Sequence, residues 1–184
     1  MKKFYVAIVV ILLLIAGVAY NSYNRLLTMN EAVDSKLAQI EVQLHEKSEL
    51  IPQLTDSVRD YAAHEEALFA QITEARAKLA EAKTVAELQT ANKELDASVD
   101  KLLTLAETYP ELKANEVFTA AREELTKANN LLAASRMDYN VNVQKFNARI
   151  KSLPDSVFAG PLGYYNKEYF KEVAGSQNLP EINY

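Results

Sequence analysis

The sequence predicts an all-α chain, one N-terminal transmembrane helix followed by an elongated antiparallel four-helix bundle, and three observations carry that prediction. Phe4 to Tyr20 is an unbroken apolar and aromatic run apart from the small Gly17. The glycines stand at Gly17, Gly160, Gly163 and Gly175, so none lies between Val18 and Ala159, whereas a sheet protein or nucleotide-binding fold needs glycine for turns and phosphate loops. Beyond the run, apolar residues recur in steps of three, four or seven, as in helices that bury one stripe.

The run reads as a membrane anchor, residues 1–22. Its 17 residues, at ~1.5 Å rise, cover ~26 Å, near the short limit for a span, and Tyr23 extends it into the interface. A cleaved signal peptide, cut near Gly17 or Ala19, is the rival reading. The run is longer than a usual signal core, and the helical pattern resumes directly at Tyr23. Lys2, Lys3 and the terminal amine outweigh Arg25 and Lys36, which places the N-terminus in the cytoplasm and the body outside the inner membrane.

The bundle is expected over 23–153. Its first stripe reads Leu26, Val33, Leu37, Ile40 and Leu44, then Ile51, Leu54, Val58, Tyr61, Leu68, Ile72, Ala75 and Leu79. Pro52 interrupts it, since proline inside a helix costs ~3 kcal/mol and disfavours helical dihedrals in the preceding residue. A first turn is therefore expected at Ser48 to Ile51; the alternative is one long kinked helix and a three-helix arrangement. Thr84 to Glu87 fits a capping box that starts the next helix, with a seam of Leu88, Ala91, Leu95, Leu102 and Leu105. Tyr109-Pro110 closes it, proline being suited to the first turn of a new helix. The last stripe is Phe118, Ala121, Leu125, Ala128, Leu132, Ser135, Tyr139, Asn142 and Phe146, running to Pro154. Ser135 and Asn142 are expected as a buried polar layer. Glu74 with Lys78 and Glu123 with Lys127 are expected as surface pairs. Residues 154–175 are rich in aromatics, and 176–184 read as a flexible tail.

Several blocks together resemble the LemA family of bacterial membrane-anchored helical proteins. They include Tyr23-Asn24, Val42-Gln43-Leu44, Leu50-Ile51-Pro52-Gln53-Leu54, Tyr61-Ala62, His64-Glu65 and Thr73-Glu74-Ala75-Arg76. Farther on come Ala106-Glu107, the block from Tyr109 to Glu116 with Phe118, then Arg136, Tyr139-Asn140, Val143, Phe146-Asn147 and Pro154. The resemblance implies a transmembrane helix and a bundle of the bromodomain-like kind, and it supplies no reaction. Phe146 and Leu153 stand where the family often has Tyr and Phe; both remain apolar.

Composition narrows the function. Without Lys2 and Lys3, 18 basic residues face 25 acidic ones, which disfavours a nucleic-acid partner because counterion release needs a cationic surface. The chain has no Cys, so it has neither disulfides nor thiolate metal sites. His45 and His64 lack the spacing of a zinc site and read as surface residues. His64-Glu65-Glu66 reads as a solvated acidic face. No catalytic constellation emerges, so no enzyme activity and no cofactor are expected.

Arg136, Tyr139, Asn140, Phe146 and Asn147 are the candidate interaction or register face: two aromatic-Asn pairs seven residues apart share one helix side. The asparagines are expected to bond to a neighbouring helix. Phe158, Leu162, Tyr164, Tyr165, Tyr169 and Phe170 are the candidate membrane-interface segment, because an up-down-up-down bundle returns its last helix to the membrane end. The competing reading has these aromatics cover the bundle core. The expected partners are the membrane and a protein partner or further copies of the chain. The function expected is a structural or interaction platform; the alternative is a membrane-linked sensor whose bundle binds a small ligand.

Overall fold

The computed structural model describes residues 2–62 and 64–171. Among them the regular elements are helices: α1 (Lys2–Arg59), α2 (Glu66–Glu81), α3 (Val85–Ala106), α4 (Pro110–Lys113), α5 (Glu116–Arg149) and α6 (Asp155–Ala159). Since α4 and α6 are single turns, four long helices carry the fold. The tail expected at 176–184 lies outside the described residues, as does the aromatic segment beyond Lys171. The described residues of Met1–Gln39 and Met137–Tyr169 form one compact unit, and those of Ile40–Arg136 and Phe170–Tyr184 form another.

The first expected turn is misplaced. Pro52 lies inside α1, which continues to Arg59. Proline costs the helix ~3 kcal/mol, but Ile51, Leu54 and Val58 are fully buried, and each such burial contributes about 1.5–3 kcal/mol. The packed face therefore outweighs the local defect. The chain breaks instead between Arg59 and Glu66, and α2 is only 16 residues long. The kinked-helix alternative is right about continuity through Pro52, yet the break after Arg59 restores four long helices.

In the first unit the early part of α1 and the late part of α5 run antiparallel. Lys36 pairs with Asp138 at 3.2 Å, and eleven residues away on each helix Arg25 and Arg149 share Asp155. Leu26 and Val33 on α1 and Tyr139, Val143 and Phe146 on α5 are buried. The apolar run that opens α1 is uncovered, with Leu12 59 % and Leu13 67 % exposed. By length and composition it suits a membrane crossing.

In the second unit α2 and α3 are antiparallel, tied by Lys78 to Glu94 at 2.9 Å and Lys101 to Gln71 at 3.4 Å. The capping box that starts α3 is present: Glu87 N–H donates to the Thr84 hydroxyl, and the Glu87 carboxylate accepts from Thr84 N–H. Pro110 occupies the first turn of α4. Asn115 caps α5 by accepting from the Val117 and Phe118 amides at 2.9 and 3.1 Å.

The stripes are right in period and slip locally in register. Phe69 is buried in place of Leu68 and Tyr61, and Val99 and Ala106 in place of Leu105. Ser135 and Asn142 are only half-buried, because the seam passes through Val143 instead; the polar layer expected there is absent. Lys127 pairs with Glu124 at 2.6 Å rather than with Glu123, while Glu74 and Lys78 pair at 3.1 Å.

Candidate functional site

On the late part of α5, Tyr139, Val143, Phe146 and Asn147 present one buried face. The chain leaves α5 at Arg149, passes α6, and returns as an extended segment onto this face. Tyr164 meets Phe146 edge to face, with ring centroids 6.0 Å apart. Asn147 Nδ2 donates to the Lys167 carbonyl at 2.9 Å, and its Oδ1 accepts from Lys167 N–H at 2.8 Å. The Tyr139 hydroxyl donates to the Glu168 carbonyl at 2.8 Å. Lys167 Nζ reaches Asp34 of α1 at 2.9 Å.

An extended segment lying on a helix has no ladder to satisfy its peptide groups, so side chains must supply the partners. An amide side chain suits this role because it presents a donor and an acceptor in one plane, as a peptide does. Burial pushes the Tyr139 phenol up to about 12, helped by the charges of Asp34 and Glu168. Burial likewise raises the Tyr164 phenol, with smaller contributions from Tyr23 and Glu31.

In the second unit the Arg136 guanidinium stacks over the Phe170 ring, 4.8 Å from its centroid, and Phe170 is 1 % exposed. Lys171 N–H donates to Gln89 Oε1 at 3.0 Å. Asn140 is half-buried. Tyr139, Phe146 and Asn147 thus hold Tyr164 to Glu168 in one unit, and Arg136 holds Phe170 in the other. Asn147 bonds to this returning segment rather than to a neighbouring helix.

The aromatic segment divides. Tyr164 and Phe170 face protein and Phe158 is half-buried, whereas Leu162, Tyr165 and Tyr169 are 40 %, 71 % and 43 % exposed. The larger exposed apolar groups near α6 are Leu153 at 77 % and Val157 at 59 %.

Two polar centres escaped the sequence reading. Asp155, fully buried, accepts from Arg149 Nε and lies 3.6 Å from Arg25; no local signal marks it. Lys47 is 1 % exposed, donates to Asn92 at 3.1 Å and pairs with Asp96, while Asn92 Nδ2 donates to Asp96 at 2.7 Å. Burial lowers the Lys47 pKa, against the attraction of Asp96. The seven-residue gap in the stripe between Leu44 and Ile51 was its signal, since a step of three from Leu44 lands on Lys47. His45 and His64 are exposed. Among the described residues no group of three or more His, Asp or Glu is placed to hold a metal ion.

The chain is similar to the magnetosome proteins MamQ 2 and MamQ 1 of Paramagnetospirillum magneticum, 22% identical to each over 82% of this chain and 65% of theirs. It is 21% identical to MamQ of Magnetospirillum gryphiswaldense over the same shares. It thus spans 65% of the length of the curated relatives it matches. A family model described as the LemA family matches residues 36–184. That match takes in α1 from Lys36 onward, every later helix and the whole of the seat on α5, and the chain, a bacterial membrane-associated helical protein, belongs to the LemA family.

Proposed function

We propose that the protein is a non-enzymatic platform, held at the bacterial inner membrane by a single pass of α1 with its body on the extracytoplasmic side, and that it displays its helices to another protein or to further copies of itself. The observation that carries this reading is the unbroken passage of α1 from an uncovered apolar run into packed residues, beginning with buried Ser22 and Leu26. A flexible linker would let the body wander, whereas a continuous helix fixes the face it offers. The polar centres are consistent with support: Asn147 and Tyr139 are spent on backbone groups, and Lys47 on Asn92 and Asp96. The MamQ relatives are magnetosome proteins by name.

Proximity labelling from the intact protein in its native membrane tests the proposal, with a control that joins residues 1–22 to an unrelated helical domain. A defined set of neighbours labelled only by the intact protein is the expected result. The same labelled set from the control would leave the helices without a role in recruitment.

A further inference from the structure

Extension of the antiparallel pairing in the first unit locates the turn after α5. Lys36 lies level with Asp138, and Arg25 level with Arg149 through their shared Asp155. Tyr20 ends the apolar run five residues before Arg25, or about 7.5 Å along the helix. The headgroup layer beyond the hydrocarbon is about 5–8 Å deep, so Arg25 stands at headgroup level. Asp155, the first residue of α6, stands with it. On its return the chain runs back along α5, where Tyr164 meets Phe146 and Lys167 meets Asn147. The turn that joins Arg149 to Tyr164 therefore lies at the end of α5 nearest to the apolar run.

That turn carries what an interface needs. Leu153, Val157 and Leu162 are 77 %, 59 % and 40 % exposed. Lys145, Arg149 and Lys151 accompany them, and the acid among residues 141–160 is the buried Asp155. This end is thus locally basic in a chain of net charge -5, and cations beside exposed apolar groups match anionic headgroups over acyl chains.

We infer that the turn from Leu153 to Leu162 is a second membrane contact, its apolar side chains seated in the interface of the same bilayer that α1 crosses. The occupant is lipid because the turn, held with Arg25 and Arg149 through Asp155, stands at the headgroup level of the bilayer that the anchor enters. The inference refines the expectation of aromatic contact: Tyr164 and Phe170 are turned inward, and the aliphatic residues of the α6 turn take their place. It rests on the reading of α1 as a membrane span.

The chain contains no Trp, so single tryptophans report depth without background. The full chain, carrying in turn Leu12→Trp, Leu153→Trp, Val157→Trp or Met137→Trp, is reconstituted into phosphatidylethanolamine–phosphatidylglycerol vesicles with lipids brominated at shallow or deep acyl positions. Met137, 57 % exposed in the same unit, lies about 18 Å farther from the run than Arg25 by the pairing and helical rise. Leu12→Trp should be quenched by deep bromines. Leu153→Trp and Val157→Trp should be quenched by shallow ones about threefold more than Met137→Trp, with blue-shifted emission. Quenching at Leu12 with none above the Met137 level at 153 and 157 would overturn the second contact while leaving the anchor intact. Absence of quenching at Leu12 would remove the span and the inference together. Emission at 157 that shifts with protein-to-lipid ratio but ignores bromine would assign the patch to a second copy.

Discussion

Asn147 holds the Lys167 backbone by both its polar groups, donating to its carbonyl at 2.9 Å and accepting from its N–H at 2.8 Å. One α5 side chain thereby does for the returning segment what a neighbouring strand would do in a sheet.

Removing that grip should be measurable. Each net hydrogen bond contributes about 1 kcal/mol, so Asn147→Leu should lose about 2 kcal/mol in chemical denaturation and release the Lys167 amide to faster hydrogen exchange. Asn147→Asp keeps the acceptor but sets a carboxylate oxygen against the Lys167 carbonyl in a buried position, and should lose at least as much. Unchanged exchange at Lys167 in the Leu variant would mean that the segment is held by Tyr164 and its neighbours instead.

Tyr139 gives the same seat a pH dependence. Its phenol titrates at about 12 in the fold against about 10 in the unfolded chain. A raised folded value means that its contribution is complete below pH 10 and is lost as the pH climbs from 10 to 12, because the unfolded state gives up its proton first. Two units correspond to about 2.7 kcal/mol. Tyr139→Phe should be weaker by about 1 kcal/mol at neutral pH and should lack this alkaline component. Equal slopes for the two proteins between pH 10 and 12 would contradict the assignment.

The Lys47 centre should respond asymmetrically. Asp96→Ala leaves a buried ammonium with Asn92 as its remaining hydrogen-bond partner, and such a loss costs about 3–5 kcal/mol. Lys47→Met replaces the cation by an apolar chain of similar length, and the Asp96 side chain, 37 % exposed, can hydrate, so the change should stay within about 1 kcal/mol. Burial holds the Lys47 pKa below its ordinary 10.5. Wild-type stability should therefore rise as the pH passes through that lowered value toward 10.5, and Lys47→Met should lack the rise. Urea melts of both variants across this range check both parts; equal costs would place Lys47 in water.

The features legible in the sequence are those whose physics is local or periodic. The apolar run, the capping box at Thr84 and Glu87 and the stripe through Phe118, Leu125 and Phe146 are of this kind; the first two are found as read, and the stripe is buried except at Ser135 and Asn142, where the seam shifts to Val143. The family resemblance was legible because its blocks run in order along nearly the whole chain. Tertiary partners were not. Nothing near Asn147 in sequence says that its partner lies twenty residues on, and Asp155 gives no hint of Arg25. The aromatic segment looked uniform, yet only the fold sorts half-buried Tyr164 and buried Phe170 from exposed Leu162 and Tyr165.

Pro52 is the place where a sound local rule gave the wrong boundary, and it yields the last prediction. α1 passes through it without the Pro52 amide that would otherwise bond to the Ser48 carbonyl. Pro52→Ala restores that donor in a half-buried position, where alanine adds no bulk. Alanine is favoured over proline in a helix interior by ~3 kcal/mol, offset by about 0.4–1 kcal/mol because proline also restricts the unfolded chain. A gain of about 2 kcal/mol is expected in thermal or urea melts of the full chain in detergent, with far-ultraviolet circular dichroism unchanged, since the helix is already continuous. Increased helicity would mean that α1 is broken near Ser48 to Ile51 after all. Loss of stability at constant helicity would mean that Ile51 and Leu54 are packed around a bend that only proline maintains.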